Sequence, residues 1–261
     1  MTAQPALEVR GLVKTFGGLR AVSDVSFTVG TGTLTALIGP NGAGKSTLFN
    51  LLTNLYRSDA GEVVLFGTPL RAMTCDAIAR LGLVRTFQTA RVFAGMTVLE
   101  NVMSGAHIVA HVPAWEYALR FPSARRGERE LEARADALLE ALGIAELRDR
   151  PASALPLGTQ KIVELARALI GRPRMLLLDE PAAGLNDAET EELAALLLGV
   201  HDSGTTVFVV EHNMSLVMGI ADRILVLDAG ALIAHGTPQE IRADPHVVEA
   251  YVGRAGAENA S

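Results

Sequence analysis

Residues 39–47 read GPNGAGKST, and no other stretch limits the possible folds of this chain as sharply. The run matches G-x-x-x-x-G-K-[ST]; it closes a compact apolar strand, TLTALIG at 33–39, and opens a helical pattern from Gly44 to Leu55. That strand–loop–helix context is the one in which the pattern carries chemistry. Gly39, Gly42 and Gly44 let the backbone bend until successive N–H groups point inward at an anion. The helix starting near Lys45 adds its positive dipole end. Lys45 then reaches the β- and γ-phosphates of a nucleoside triphosphate, and the Ser46 hydroxyl binds Mg²⁺. Together with Pro40, Asn41, Ala43 and Thr47, these residues form one phosphate-binding loop. A Gly-rich turn matching by chance is the bland alternative, and nine fitting residues in the right context leave it a few per cent at most.

A second stretch gains meaning from the first. RMLLLDEP at 174–181 fits a buried strand whose carboxylates emerge at its C-terminal edge, where open α/β sheets bind ligands. Asp179 is placed to hold Mg²⁺ through water, and Glu180 to orient and deprotonate an attacking water. Alone, the stretch would read as a strand end with a solvated acid pair. Gln88 in VRTFQTARVF and His212 closing TTVFVVEH are polar residues after apolar stretches. Each alone would be structural; their order along the chain is what matters below.

At 261 residues the chain can form one large α/β domain or two small ones. Its formal net charge of −6 argues against nonspecific nucleic-acid binding, which needs a basic surface. Cys75 is the single cysteine, so no internal disulfide forms and a reducing compartment is expected. No basic stretch followed by an apolar core opens the chain, so no signal peptide is expected. No apolar run reaches the roughly 18 residues needed to cross a bilayer. His107 and His111 stand at i and i+4, but with no nearby carboxylate or Cys they are not read as a metal pair.

Periodicity fills in the rest. LEVRGLVKTF, SDVSFTVGTG and EVVLFG read as strands, and a mainly helical stretch runs from about Thr97 to Leu147. Within it Leu131, Ala135, Leu138, Leu139 and Leu142 share one helix face, with Gly143 as a stop. MLLLDE and TTVFVVEH read as buried strands separated by the helix ETEELAALLLGV, the alternation of a parallel sheet with crossover helices. DRILVLDAGALIAHG reads as a hairpin around Asp228 and Gly230, and Thr237-Pro238-Gln239-Glu240 as a capping box. Residues 251–261 read as a frayed tail.

The order of these motifs resembles the ATP-binding cassette ATPases over nearly the whole chain. The resemblance implies an α/β fold: a phosphate-loop NTPase (RecA-like) core with an antiparallel β subdomain and a helical subdomain inserted at about 92–160. It implies a single domain over 1–250, with the tail at 251–261. It also assigns roles: Phe16 stacks on adenine, Gln88 senses Mg²⁺ and water, His212 contacts the γ-phosphate and Glu180 is the catalytic base. Asp179, Ser46 and Gln88 would serve Mg²⁺, and Lys45 the phosphates of ATP. LPLGTQ at 155–160 takes the place of the family's LSGGQ, whose helix N-terminus faces the γ-phosphate held by a second subunit. Leu155 and Gly158 match; Pro156 replaces Ser, Leu157 a Gly and Thr159 the Gln. Ile162, Leu165, Ala166, Leu169 and Ile170 share a face of the helix that follows, and Gly171 and Pro173 end it. The dipole and N–H groups after Gly158 survive these changes, so the run reads as a divergent but working element supplied in trans. Two ATPases then close face to face over ATP and reopen after hydrolysis.

A narrower resemblance is to the LivG-type ATPase subunits of branched-chain amino-acid importers. It rests on DEPAAGLN at 179–186, FGGLRAV at 16–22, the stretch FPSARRGERELEARADALLEALG and the ending EAYVG. Asn186 stands where most cassette ATPases have Asp and is typical of this subgroup. The resemblance implies a heterodimer with a second cassette ATPase beneath two membrane permease subunits, at the cytoplasmic face of the cell membrane. A substrate-binding protein is then met only indirectly, and nucleic acid not at all. The segment 89–120, with Phe93, Met96, Trp115 and Tyr117 and with Phe121 just beyond it, is where such ATPases meet their permease; the alternative is that these residues are core of the helical subdomain. A soluble cassette acting on nucleic acid or ribosomes is the alternative, disfavoured by one cassette, no long insertion and negative charge. A regulatory subunit with little hydrolysis has Pro156 as its one argument.

Overall fold

A computed structural model describes residues 4–86, 92–108 and 122–258. Strands β1 (Leu7–Phe16), β2 (Leu19–Val29) and β3 (Leu34–Ile38) lead into helix α1 (Lys45–Leu52). Then come β4 (Ala60–Leu65), β5 (Thr68–Pro69), α2 (Cys75–Arg80) and β6 (Leu83–Arg85). Helices α3 (Val98–Ser104), α4 (Pro122–Ala141) and α5 (Leu157–Leu169) precede β7 (Met175–Asp179). The chain continues through α6 (Asp187–Asp202), β8 (Thr206–Val210), α7 (Met214–Ile220), β9 (Arg223–Asp228) and β10 (Ala231–Gly236), and on to α8 (Pro238–Ala243) and α9 (Pro245–Glu258).

These strands form two sheets. A six-stranded sheet runs β10-β9-β3-β8-β7-β6, and a four-stranded one β2-β1-β4-β5. In the larger sheet β3 is parallel to β8 and β9, β7 is parallel to β8 and β6, and β10 alone turns back against β9. The smaller sheet is antiparallel throughout.

Alternate residues of the parallel strands enter different cores. Ala36, Ile38, Leu176, Leu178, Val207 and Val209 pack with α3 to α9 on one face. Leu37, Leu177, Phe208 and Val210 pack with α1 and the antiparallel sheet on the other. A sheet covered on both faces is largely apolar along its strands, which is why β3, β7 and β8 read as apolar runs interrupted only by buried Thr35 and edged by Thr206 and Asp179. The expected face of α4 is seated in the first core: Ala135, Leu139 and Leu142 are buried, with Leu131 and Leu138 partly so.

The chain departs from the periodic reading at several helix ends. The helix expected to reach Leu55 stops at Leu52: Asn54 takes a positive φ of 55°, and the Thr53 hydroxyl donates back to the Phe49 carbonyl. The end expected at Gly171 and Pro173 is where α5 stops: its last helical residue is Leu169, Ile170 is its C-cap, and Arg172 takes a positive φ of 52°. It precedes Pro173, a position that disfavours helical backbone. Helix α9 continues to Glu258, into the stretch expected as a frayed tail, and Tyr251 is partly buried against the helical core. The Thr237–Glu240 capping box is present with both reciprocal bonds and Pro238 in the first turn.

Candidate functional site

The C-terminal ends of β3, β7 and β8 lie side by side, so the loops leaving them share one edge of the sheet. After β3 the chain turns at Gly39 and enters α1 at Gly44. A Cβ on Gly39 would come within 2.0 Å of the Leu227 carbonyl oxygen, and one on Gly44 within 2.3 Å of that of Ala21. Both have positive φ, so the loop is closed to any other residue at these points on steric and backbone grounds alike.

The loop borders a cleft of about 530 Å³. Asn41 to Thr47, Phe16, Ala21, Glu180 and Gly230 are among its walls. The phosphate loop, the aromatic residue and the glutamate singled out from sequence therefore meet in one concavity. Phe16, 43% exposed, stands at its rim, with the Tyr56 ring edge-on at 5.4 Å.

Lys45 is buried, and its ammonium folds back to donate to the carbonyls of Gly39 (2.7 Å) and Pro40 (3.0 Å). Burial pulls its pKa below the usual lysine value, and the Glu180 and Asp179 carboxylates act the other way. These carbonyl bonds hold the charge at the base of the loop, from where a short swing brings it to a phosphate.

Asp179 closes β7 and is buried; its Oδ2 accepts from Nη2 of Arg85 at 2.7 Å. Arg85 also donates to Asn50 Oδ1 at 2.7 Å, joining β6, α1 and β7 beneath the loop. Neither Arg85 nor Asn50 had a sequence signal. Removing one member of a buried ion pair typically costs about 3–5 kcal/mol. Arg85→Met is therefore expected to lower unfolding stability by about that much in urea titration; a loss under about 1 kcal/mol would mean that the pair contributes nothing.

Glu180 follows with a positive φ of 48°, and its N–H donates to the Val210 carbonyl at 2.9 Å. Its Oε2 lies 4.0 Å from His212 Nδ1, so the two residues expected to flank the γ-phosphate are neighbours across the ends of β7 and β8. Asp179 and His212 stand outside the cleft lining and adjoin it through Lys45 and Glu180. Gln88 lies outside the described residues, as do Trp115, Tyr117, Phe121, His111 and the His107 side chain. Among the described residues no cluster of three or more His, Cys, Asp or Glu is spaced to hold a metal by itself.

Gly158 is not part of this cleft. It is buried in the first turn of α5, behind Pro156, which offers no side-chain cap. The first backbone bond there runs from Gln160 N–H to the Pro156 carbonyl, leaving the N–H groups of Leu157, Gly158 and Thr159 without a partner inside the helix. Asn186 caps α6 in a box with Glu189. Phe93 and Met96 are both exposed.

A fold that offers backbone N–H groups to phosphates at one strand end, and carboxylates at another with a single strand between, is that of a phosphate-loop nucleoside triphosphatase. A family model described as ABC transporter matches residues 22–183, and one described as branched-chain amino acid ATP-binding cassette transporter matches residues 231–257. The high-affinity branched-chain amino acid transport ATP-binding protein LivG of Salmonella typhimurium is 44% identical over 254 residues, spanning 97% of this chain and 100% of that protein. BraF of Pseudomonas aeruginosa, of the same description, is 43% identical over the same shares. A crystal structure of an ATP-binding cassette of an ABC transporter in its ADP conformation superimposes with a TM-score of 0.83, at 33% identity over 95% of this chain and 99% of that one. This chain belongs to the ABC transporter ATP-binding proteins, and it is an ATPase whose hydrolysis of ATP is coupled to transport. Among its described residues no helix is long and apolar enough to cross a membrane.

Proposed function

We propose that this chain is the ATP-hydrolysing subunit of an importer for branched-chain or related hydrophobic amino acids. It acts at the cytoplasmic face of the cell membrane, paired with a second cassette ATPase beneath two permease subunits. The observation that carries this reading is the near-full-length similarity to LivG and BraF, supported by the match to the branched-chain model at 231–257. A nucleic-acid role has no counterpart among these relatives.

In the site, the loop N–H groups from Gly39 to Thr47 and the Lys45 ammonium bind the phosphates of ATP, and Phe16 stacks on the base. The carboxylate of Asp179, the Ser46 hydroxyl and Gln88 are the oxygen donors for Mg²⁺. A hard cation that keeps its waters and takes its other ligands from phosphate needs no closed protein cage. When bound there, Mg²⁺ would supply positive charge to offset that of the phosphates, held by Ser46, Asp179 and Gln88. Glu180 accepts the proton of the attacking water, and His212 holds the γ-phosphate. The first turn of α5, with Gly158, completes the site of the opposing ATPase. The segment around exposed Phe93 and Met96 faces the permease.

The test is capture of tagged chain from detergent-solubilised native membranes, with mass spectrometry of what accompanies it. Two polytopic membrane proteins and a second cassette ATPase are expected. A chain found in the soluble fraction with ribosomal or DNA-repair proteins would overturn the transport reading and leave the ATPase.

A further inference from the structure

Glu211 is fully buried and is not among the residues lining the nucleotide cleft, and no sequence signal marked it. Its carboxylate spans two loops. Oε1 accepts the Ala182 N–H at 2.7 Å, while Oε2 accepts the N–H groups of His212 at 3.0 Å and Asn213 at 3.3 Å. One side chain therefore fixes the backbone just after Glu180 and the backbone that carries His212. A buried carboxylate is kept only where such bonds or a counter-charge compensate its lost hydration.

Lys161, on the helix that begins at Pro156-Leu157-Gly158, reaches the same loop from the other side. Lys161 is buried, and its Nζ donates to the Pro181 carbonyl at 2.8 Å, with the Glu180 carbonyl at 3.5 Å. Burial pulls this lysine below its usual pKa, against the fields of Glu164, Glu211 and Glu180.

The chain from 180 to 182 is thus held at consecutive peptide groups. The Glu180 N–H is bound by Val210, the Glu180 and Pro181 carbonyls face Lys161, and the Ala182 N–H is bound by Glu211. Such determination is what a left-handed glutamate requires, since a strained non-Gly residue persists only where its surroundings over-determine the conformation.

We propose that Glu211 and Lys161 are positioning residues for ATP hydrolysis: Glu211 sets the spacing between Glu180 and His212, and Lys161 ties that pair to the LPLGTQ helix of the same chain. Neither touches the cleft; both act through the backbone beneath Glu180. The inference rests on Glu180 being the general base. It also gives the cassette a direct mechanical link between the element aimed at the partner's nucleotide and the base acting on its own. Movement of α5 when the partner's nucleotide arrives then shifts the Pro181 carbonyl without passing through bulk packing.

The test uses the full chain as Glu211→Gln, Lys161→Met and Lys161→Arg, with Glu211→Gln also combined with Glu180→Gln. The amide of Glu211→Gln keeps the shape but turns a donor toward backbone N–H groups. Misplacement of a reacting group by about 1 Å costs on the order of 10²-fold in rate. Glu211→Gln and Lys161→Met are therefore expected to lower kcat by about 10- to 100-fold, with the KM for ATP changed by less than about twofold. Lys161→Arg, which keeps the charge and donors, restores most of the rate. On the Glu180→Gln background, Glu211→Gln is expected to add no further loss, since its target is already gone.

Normal kcat in Glu211→Gln would overturn the inference, as would an equal loss of rate on both backgrounds, the mark of a general packing defect. Should Glu211→Gln fail to fold, the Lys161→Met and Lys161→Arg pair decides alone: equal rates in the two would sink the proposal. Near-normal turnover in Glu180→Gln by itself would remove the base, and the positioning role with it. A loss confined to the Glu211 and Lys161 variants is thereby told apart from a failure of Glu180.

Discussion

Glu180→Gln lowers the kcat of ATP hydrolysis by about 10²–10⁴-fold, the usual range for a lost general base, and leaves ATP binding in place. The amide matches the carboxylate in size, so the cleft wall is kept. Its neighbours are also kept, because the loop is held through backbone groups: the Glu180 N–H on Val210 and the Ala182 N–H on Glu211. What is lost is the ability to take a proton from water. Glu180 is placed for that role: it reaches the cleft beside Lys45 while its carboxylate stays within 4.0 Å of His212. Phosphate release measured at saturating ATP, alongside equilibrium binding of ATP, separates the two effects. Turnover within about threefold of the parent would take Glu180 out of the base role, since a catalytic base is worth at least about 100-fold. Loss of binding together with turnover would mean instead that the side chain supports the loop.

What could be read from the sequence was what is local in it. The phosphate loop is strand, Gly-rich turn and helix within a dozen residues, and every part of its geometry is encoded where it occurs. The same holds for the capping box at Thr237 and for the apolar strands β3, β7 and β8. The bonds that tune the site are different in kind. Arg85 finds Asp179 across 94 residues, and Glu211 finds Ala182 across 29. Periodicity carries no trace of such pairings, and a lone Arg or Glu next to an apolar strand reads as a solvated end. Short elements escaped for a related reason: α2 and α7 are 6 and 7 residues long, and β6 is 3, too few to show a repeat. Pro156 illustrates the converse. It looks disruptive in a motif, yet proline is well tolerated where a helix begins, and α5 starts directly after it.

Lys45→Ala weakens ATP binding on the order of 10²-fold. The ammonium sits at the base of the loop with its charge held by the Gly39 and Pro40 carbonyls, and a phosphate offers stronger, charged acceptors in the same place. A hydrogen bond to a charged group is worth about 1.5–3 kcal/mol net, and each 1.4 kcal/mol is about tenfold in affinity. Burial strengthens the case, because little water competes for the charge once phosphate is bound. The loop itself survives the change, since its turns are enforced by Gly39 and Gly44 against the Leu227 and Ala21 carbonyls rather than by the lysine. The loss therefore falls on the phosphates and not on the base. Titration with ATP and with adenosine makes the distinction: ATP affinity drops about 100-fold, while adenosine, which meets Phe16 but not Lys45, binds as before. Unchanged ATP affinity would undo the assignment of Lys45. An equal loss for both ligands would place its contribution in shaping the cleft, with the phosphates held by the loop N–H groups and the dipole of α1 alone.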